Sequence, residues 1–385
     1  MKSLLHAELF ILIVAFCTSS CSWADEVDDV PENRVTFYTT YGAQHGDNWI
    51  IPLRVWVHEE PDLARELMAK AVRDELVERA GMQELDQVQK DRFLYRADGF
   101  IADSESRETI SFSFDNDPRA LRYQLHNADG DSDTDRNGLI EGAIALSNET
   151  ARELLAAQSS DNGWLTFRAV SEDHGGVGRV RLIEAEGVSV VSDVDDTTKV
   201  TNIPSGEAEV LKNTFFREFT AAPCMADLYQ SYGDDVSFHY VSGGPWQMYG
   251  PLAEFLFGTE AGFPEGTFHM KNVRTNPFES ESYQDIWKLI GSGSQQVTFE
   301  QKIGQITALL EDFPQREFVL IGDSGEKDPE VFAAIRERFP DQVKEIRIRD
   351  VVNHAVARPD RLQDMMIIQP GNEPGFDCRN LIATN

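Results

Sequence analysis

Three carboxylates stand almost side by side in Ser192-Asp193-Val194-Asp195-Asp196-Thr197, directly after the apolar run Val188-Ser-Val-Val-Ser192. Acids crowded at the end of a strand repel one another and cost stability unless a cation or a proton compensates. A carboxylate in that position can attack phosphorus and form an aspartyl-phosphate. A second acid two residues on can protonate the leaving alkoxide and later deprotonate a water. Asp193 is the candidate nucleophile and Asp195 the candidate acid/base, with the Thr197 hydroxyl fixing the loop. Taken alone, the run reads equally well as a turn of solvated acids.

Three further signals follow in order. Phe238-His-Tyr-Val-Ser242 ends in Ser242-Gly243-Gly244, where a hydroxyl and glycine N–H groups can hold phosphate oxygens. Lys302 opens the helical run Lys302–Phe313, a place the helix dipole does not favour for a cation, so a role beside the nucleophile and the phosphoryl group suggests itself. Phe318-Val-Leu-Ile-Gly322 delivers Asp323-Ser-Gly-Glu-Lys-Asp328. Its hard oxygen donors suit Mg²⁺, with Asp323 as the candidate metal ligand beside Asp193, and Asp328 supporting the loop or a metal-bound water; Asp195 completes the candidate metal set.

These residues need a scaffold. After Gly187, apolar strands (188–192, 238–242, 318–322 and 345–349) alternate with amphipathic helical stretches (248–257, 302–313 and 329–339). That rhythm predicts an α/β fold with a parallel sheet, and the strands' carboxyl ends are where a ligand sits. Before Gly187 the pattern is mainly β and sandwich-like, with strands over 35–41, 49–57, 109–114, 140–146, 164–170 and 177–183. The helical spacing of Leu63–Gly81 is read as an insertion at the sandwich edge, with 83–94 extending it.

The ordered set Asp193, Asp195, Ser242, Lys302 and Asp323 resembles the haloacid-dehalogenase phosphatase superfamily. That resemblance implies a Rossmann-like parallel sheet, a nucleophilic first aspartate, and a metal held by that carboxylate, the second aspartate's carbonyl and a later acid. Val-Ser-Asp-Val-Asp-Asp-Thr-x-Lys-Val-Thr, Tyr-Val-Ser-Gly-Gly-Pro-Trp-Gln-Met-Tyr, Leu-Ile-Gly-Asp-Ser-Gly-Glu-Lys-Asp-Pro-Glu and Ile-Arg-Ile-Arg-Asp-Val look like the catalytic domain of the actin-patch type of phosphatidate phosphatase. The resemblance covers nearly all of 177–385 and implies hydrolysis of phosphatidate to diacylglycerol and phosphate. Thr198 stands where that family has Ile, and Cys224 where a Gly is expected. Soluble phosphomonoesters are the alternative substrates. A non-catalytic envelope protein that binds a ligand through its β domain is the alternative of another class.

The 385 residues carry 35 Lys and Arg against 66 Asp and Glu, a formal net charge of -31. Such a chain repels nucleic acid and has no polybasic run for an anionic bilayer. Lys2, the apolar run Leu9–Phe16 and Ser22-Trp23-Ala24 read as a signal peptide over 1–24, hence an exported protein, periplasmic or extracellular. Cys21 offers the rival reading of a lipidated anchor. An acidic linker over 25–34, a β domain over 35–186 and a catalytic domain over 187–385 would follow. Cys224 and Cys378 then form either a disulfide or two separate thiols. Asp133-Thr-Asp-Arg-Asn137-Gly starts like a calcium loop, but position twelve is Ile144, so a polar hairpin turn is the better reading. Trp246, Met248, Tyr249, Phe255 and Phe257 are core or an acyl contact, and His269, Lys271 and Arg274 are candidate head-group ligands.

Overall fold

The computed structural model describes residues 32–171, 173–271, 295–371, 376–378 and 381. It is a mixed α/β protein with a β-rich N-terminal half and a six-stranded parallel sheet after it.

The N-terminal strands are β1 (Asn33–Phe37), β2 (Thr40–His45), β3 (Asn48–Glu59), β4 (Asp103–Ser104), β5 (Ser111–Phe114), β6 (Tyr123–Gln124), β7 (Leu139–Ser147), β8 (Trp164–Ala169), β9 (His174–Gly175) and β10 (Val177–Ile183). They are hydrogen-bonded into one ten-stranded sheet rather than two separate ones. Alternation aims one face of each strand at a shared core of Phe37, Ile51, Val55, Phe112, Phe167 and Val180. Phe37 of β1 lies 5.9 Å from Phe112 of β5, several strands away in the hydrogen-bonding order. The single sheet therefore rolls over on itself and acquires a sandwich-like interior.

Helices α1 (Leu63–Arg79) and α2 (Gln87–Ile101) are not an insertion at the sandwich edge. Phe93 of α2 stacks on Phe216 at 5.7 Å, and Ala69, Val72, Phe93 and Phe100 share a core with residues of the parallel sheet. Nor does α2 extend α1. It has its own capping box, in which Asp86 accepts from the N–H of Gln89 and Gln89 reaches back. The acidic stretch around Asp133 is a turn before β7, with Asp135 accepting the N–H groups of Asn137 and Leu139.

The second sheet comprises β11 (Glu186–Asp193), β12 (Ser237–Pro245), β13 (Thr267–Lys271), β14 (Gln315–Asp323), β15 (Val343–Arg349) and β16 (Met366–Ile368). Its order is β13-β12-β11-β14-β15-β16, and every pairing is parallel. From β11 the chain builds outward through β12 and β13, then returns to the other side of β11 with β14. The direction reverses between β11 and β14, and a crevice opens at such a reversal beyond the strands' carboxyl ends. The two strands that flank it end on Asp193 and Asp323. Helices α7 (Gln295–Asp312) and α8 (Asp328–Arg338) pack on this sheet through Ile306, Leu309, Leu310, Val331, Phe332 and Ile335. Here α3 is Asn148–Ala157, α4 Glu207–Leu211, α5 Met225–Gln230, α6 Tyr249–Phe257 and α9 His354–Ala357.

The two sheets belong to one compact unit. The Thr39 carbonyl accepts from Phe268 N–H at 3.0 Å, and the Tyr41 hydroxyl donates to Asp312 at 2.5 Å. Cys224 and Cys378 are disulfide-bonded, tying the end of the chain to the start of α5. Cys224 has a φ of 65°, the left-handed region that glycine occupies without strain, which is the physical reason to expect Gly there.

Candidate active site

Asp193 and Asp323 are both buried, and each spends only one of its two oxygens on the protein. Asp193 Oδ1 accepts from Lys302 Nζ at 2.7 Å. Asp323 Oδ1 accepts from the N–H groups of Gly325 (2.5 Å) and Glu326 (3.2 Å), which folds the turn after β14. The other oxygens, Asp193 Oδ2 and Asp323 Oδ2, are buried with no hydrogen-bond partner. Buried carboxylate oxygens are expensive to leave unpaired, and an ion is one of the few things that accounts for them.

Asp193, Asp323 and Glu326 each offer an oxygen, all within 4.8 Å of one another. Glu326 is the residue that sequence spacing missed. The sequence points to Asp323 as the later acid and to Asp328 as a member of the metal set or a support for the loop, and it is the loop-supporting part that Asp328 takes. Its Oδ1 accepts from Lys302 Nζ at 2.6 Å and its Oδ2 from Asp323 N–H at 3.2 Å. With both oxygens engaged, Asp328 orients the lysine and the Asp323 loop rather than completing the acidic triad. Gly322 makes that approach feasible, since a Cβ there would lie 2.5 Å from Asp328 Oδ2.

Lys302 lies inside α7 rather than at its opening, so the argument from an unfavourable helix start lapses. It is 3% exposed. Burial alone would lower its pKa, but Asp193, Asp328 and Glu326 outweigh that and hold it well above the lysine range. The acids feel the reverse. Burial raises Asp193, with Lys302 opposing and Asp328, Glu326 and Asp195 adding repulsion. Burial, with Asp328, Glu326 and Asp193, raises Asp323. Burial also pushes Glu326 up to about 7 against the pull of Lys302. One lysine does not neutralise this cluster, and a divalent cation is the species its donor set fits.

Asp195 behaves differently. Burial would raise its pKa too, but Lys199 at 2.9 Å and the Thr201 hydroxyl hold it below the usual carboxylate range. Thr197 does not fix the loop as its position suggested, because its buried hydroxyl has no hydrogen-bond partner. Asp196 takes that part, accepting N–H groups from Thr201 (2.9 Å), Asn202 (2.6 Å) and Ile203 (2.6 Å). Thr198, where the family resemblance has Ile, donates its hydroxyl to the Val194 carbonyl at 3.0 Å.

Ser242 ends the regular part of β12, whose register with β13 shifts between Ser242 and Pro245. Its oxygen accepts from Gly244 N–H at 3.0 Å. Gly243 and Gly244 line a 120 Å³ cavity together with Asp195, Lys199, Thr201 and Glu326. The lining also includes the apolar residues Ile203, Val210, Phe219, Pro245, Met248 and Leu252. Of the aromatic candidates after the serine loop, Trp246 is buried in the core. His269 faces Tyr41 and bonds to Thr267, lining a separate cavity between the sheets with Arg54 and Gln305. Lys271 is half-buried at the end of β13, and Arg274 lies outside the described residues.

Comparison with known proteins points the same way as these residues. Residues 188–350 match the family model "Phosphatidate phosphatase APP1, catalytic domain". The phosphatidate phosphatase APP1 of Saccharomyces cerevisiae is 29% identical over 184 residues, 47% of this chain and 29% of that protein. An uncharacterized protein of Schizosaccharomyces pombe is 25% identical over 184 residues, 45% of this chain and 27% of that one. The chain thus spans under a third of the length of these curated relatives. Among solved structures, a carbohydrate esterase (9% identical, 82% of this chain, 87% of that one, TM-score 0.21) and the Ruminococcus gnavus β-glucuronidase (11%, 83% and 45%, 0.22) align too loosely to carry any argument.

The match to APP1, an actin-patch type of phosphatase, overturns the expectation that the chain is exported to the periplasm or beyond, or lipidated at Cys21. The signal-like stretch behind that expectation lies outside the described residues, and no described helix is long and apolar enough to cross a membrane. Residues 188–350, which carry Asp193, Asp195, Ser242, Lys302, Asp323 and Glu326, are thus similar to the catalytic domain of APP1-type phosphatidate phosphatases.

Proposed function

We propose that the chain is a Mg²⁺-dependent phosphomonoester hydrolase of the haloacid-dehalogenase type. It would work through an aspartyl-phosphate on Asp193, with phosphatidate as substrate and diacylglycerol and phosphate as products. The observation that carries this reading is the pair of unpartnered buried oxygens, Asp193 Oδ2 and Asp323 Oδ2, facing the same acidic cluster as Glu326. Asp193, Asp323 and Glu326 would hold Mg²⁺, with the Asp195 carbonyl added by the family resemblance, and the ion would supply Lewis-acid stabilisation of the phosphoryl charge.

The chain's own groups do the rest. Asp193 presents its carboxylate to phosphorus at the end of a rigid central strand, so little reorganisation is needed on attack. Lys302, held between Asp193 and Asp328, offsets the growing negative charge. The Ser242 hydroxyl and the backbone N–H of Gly243 offer donors to phosphate oxygens, while the Gly244 N–H holds the serine oxygen. Asp195 gives a proton to the leaving alkoxide as the phosphorus–oxygen bond breaks. As a carboxylate it then takes a proton from the water that cleaves the aspartyl-phosphate. Ile203, Val210, Phe219, Pro245, Met248 and Leu252 line the same cavity as Asp195, and this apolar lining would favour an alcohol with an apolar body. In this reading a β domain over 35–186 would precede a catalytic domain over 187–385.

The test is phosphate release from dispersed phosphatidate and from soluble phosphate esters, with Mg²⁺ and with EDTA. Release from phosphatidate that needs Mg²⁺ supports the reading. Equal slow release by wild type and Asp193→Asn defeats it, and release from soluble esters alone assigns the alternative substrate class.

A further inference from the structure

Lys199 is 2% exposed, yet no step above uses it. Burying an ammonium costs several kcal/mol unless it is paired and hydrogen-bonded. It also costs the rotamer freedom of a long side chain. The cation that faces the phosphoryl site is Lys302, on another element. Lys199 instead lies in the same loop as Asp195, and that loop is pinned at its backbone. Lys199 N–H donates to the Val194 carbonyl at 3.0 Å, and the Lys199 carbonyl accepts from Asp196 N–H at 2.7 Å. The short closure brings the Lys199 ammonium 2.9 Å from Asp195 Oδ1 and onto the Thr201 hydroxyl, which donates to the same oxygen. The Phe219 ring, 5.0 Å from the ammonium, covers it from the other side. All four residues line the cavity.

We propose that Lys199 is a positioning residue: with Thr201 it grips one oxygen of Asp195 and aims the other at the leaving-group oxygen. The Asp195 side chain is 22% exposed, and without the grip it can turn to solvent. The inference rests on the phosphatase reading. In the step concerned, the Asp193–phosphorus bond forms as the phosphorus–alkoxide bond breaks, and the proton that Asp195 took from the water of the preceding turnover passes to the departing oxygen. Lys199 and Thr201 favour the ionised form of Asp195, so what they contribute to this step is aim and not proton affinity. An alkyl leaving group needs that proton. A p-nitrophenyl leaving group departs as a stable anion and does not. A misaimed donor therefore penalises one ester and spares the other.

The experiment compares kcat and KM for an alkyl phosphate and for p-nitrophenyl phosphate, using the full chain with Mg²⁺. Well-placed general acids contribute roughly 10²–10⁴-fold. Lys199→Met is expected to lose at least about tenfold in kcat on the alkyl ester and no more than about threefold on the nitrophenyl ester, with KM little changed. Lys199→Arg is expected to restore most of the alkyl rate. In an Asp195→Asn background, Lys199→Met is expected to add no further discrimination, because the two residues act as a unit. Equal losses on both esters, or losses additive with Asp195→Asn, overturn the proposal. If Lys199→Met does not fold, Thr201→Val decides instead: selective loss on the alkyl ester supports the grip, and uniform loss overturns it. If wild type hydrolyses neither ester, the phosphatase reading itself fails, a result distinct from non-selective losses in an active enzyme.

Discussion

Glu326→Gln should strengthen the metal-free fold and weaken metal binding at the same time. Glu326 keeps its place in the turn through its backbone N–H to Asp323 Oδ1, so Gln can occupy the same space. Its carboxyl rises from 4.5 to about 7 because burial, and after it the neighbouring acids, disfavour the charge despite Lys302. At about 1.4 kcal/mol per unit, the ionised form costs about 3 kcal/mol, or about 2 kcal/mol once screening of a side chain 21% exposed is allowed for. The folded pKa lies above the unfolded one, so the folded state binds more protons. The stability this group contributes is therefore intact below about pH 4.5 and lost as pH rises through about 7. In urea unfolding with EDTA, Glu326→Gln should exceed wild type by about 2 kcal/mol at pH 8 and match it near pH 4.5. Calorimetric titration should show Mg²⁺ affinity reduced at least about tenfold. Equal stability at pH 8, or undiminished Mg²⁺ affinity, refutes the placing of Glu326 in the metal cluster.

Lys302→Met leaves Asp193 and Asp328 buried without their cation, so unfolding in EDTA should show a loss of about 3–5 kcal/mol, with Mg²⁺ recovering part of it. Phe112→Ala opens the centre of the rolled N-terminal sheet, where Phe37 and Phe167 close on it, and should cost about 3–5 kcal/mol by denaturant titration. In that variant the Mg²⁺ affinity of the folded protein should be unchanged, since the ring belongs to the N-terminal core with Phe37, Phe114 and Phe167.

The strand-ending motifs were legible because a buried parallel strand must be an apolar run, and a polar residue that stops it stands out. Asp193, Ser242 and Asp323 were readable for that reason, as was the alternation that predicted the parallel sheet. Glu326 was not. In the turn Asp323–Asp328 the direction of each acid depends on Asp323 Oδ1 capturing two N–H groups, a three-dimensional event that spacing does not encode. Lys199 was passed over because a lysine in a polar loop belongs to solvent unless a long-range ring such as Phe219 covers it. Thr197 and Asp196 exchanged parts for a similar reason: the loop turns back, and the Asp196 carboxylate lands on three N–H groups that the extended sequence keeps apart. The helices α1 and α2 look peripheral by position along the chain. Phe93 of α2 finds partners more than a hundred residues later, in Phe215 and Phe216, and α1 joins the same core.

The central claim is that Asp193 accepts the phosphoryl group, and acid-quenched peptide mapping after a brief incubation with phosphatidate and Mg²⁺ tests it most directly. The account predicts a base-labile phosphoryl group on the peptide containing Asp193, absent from Asp193→Asn, whose turnover should fall by roughly a thousandfold or more while its fold persists. A phosphoryl group on any other residue, or sustained turnover by Asp193→Asn, would contradict it.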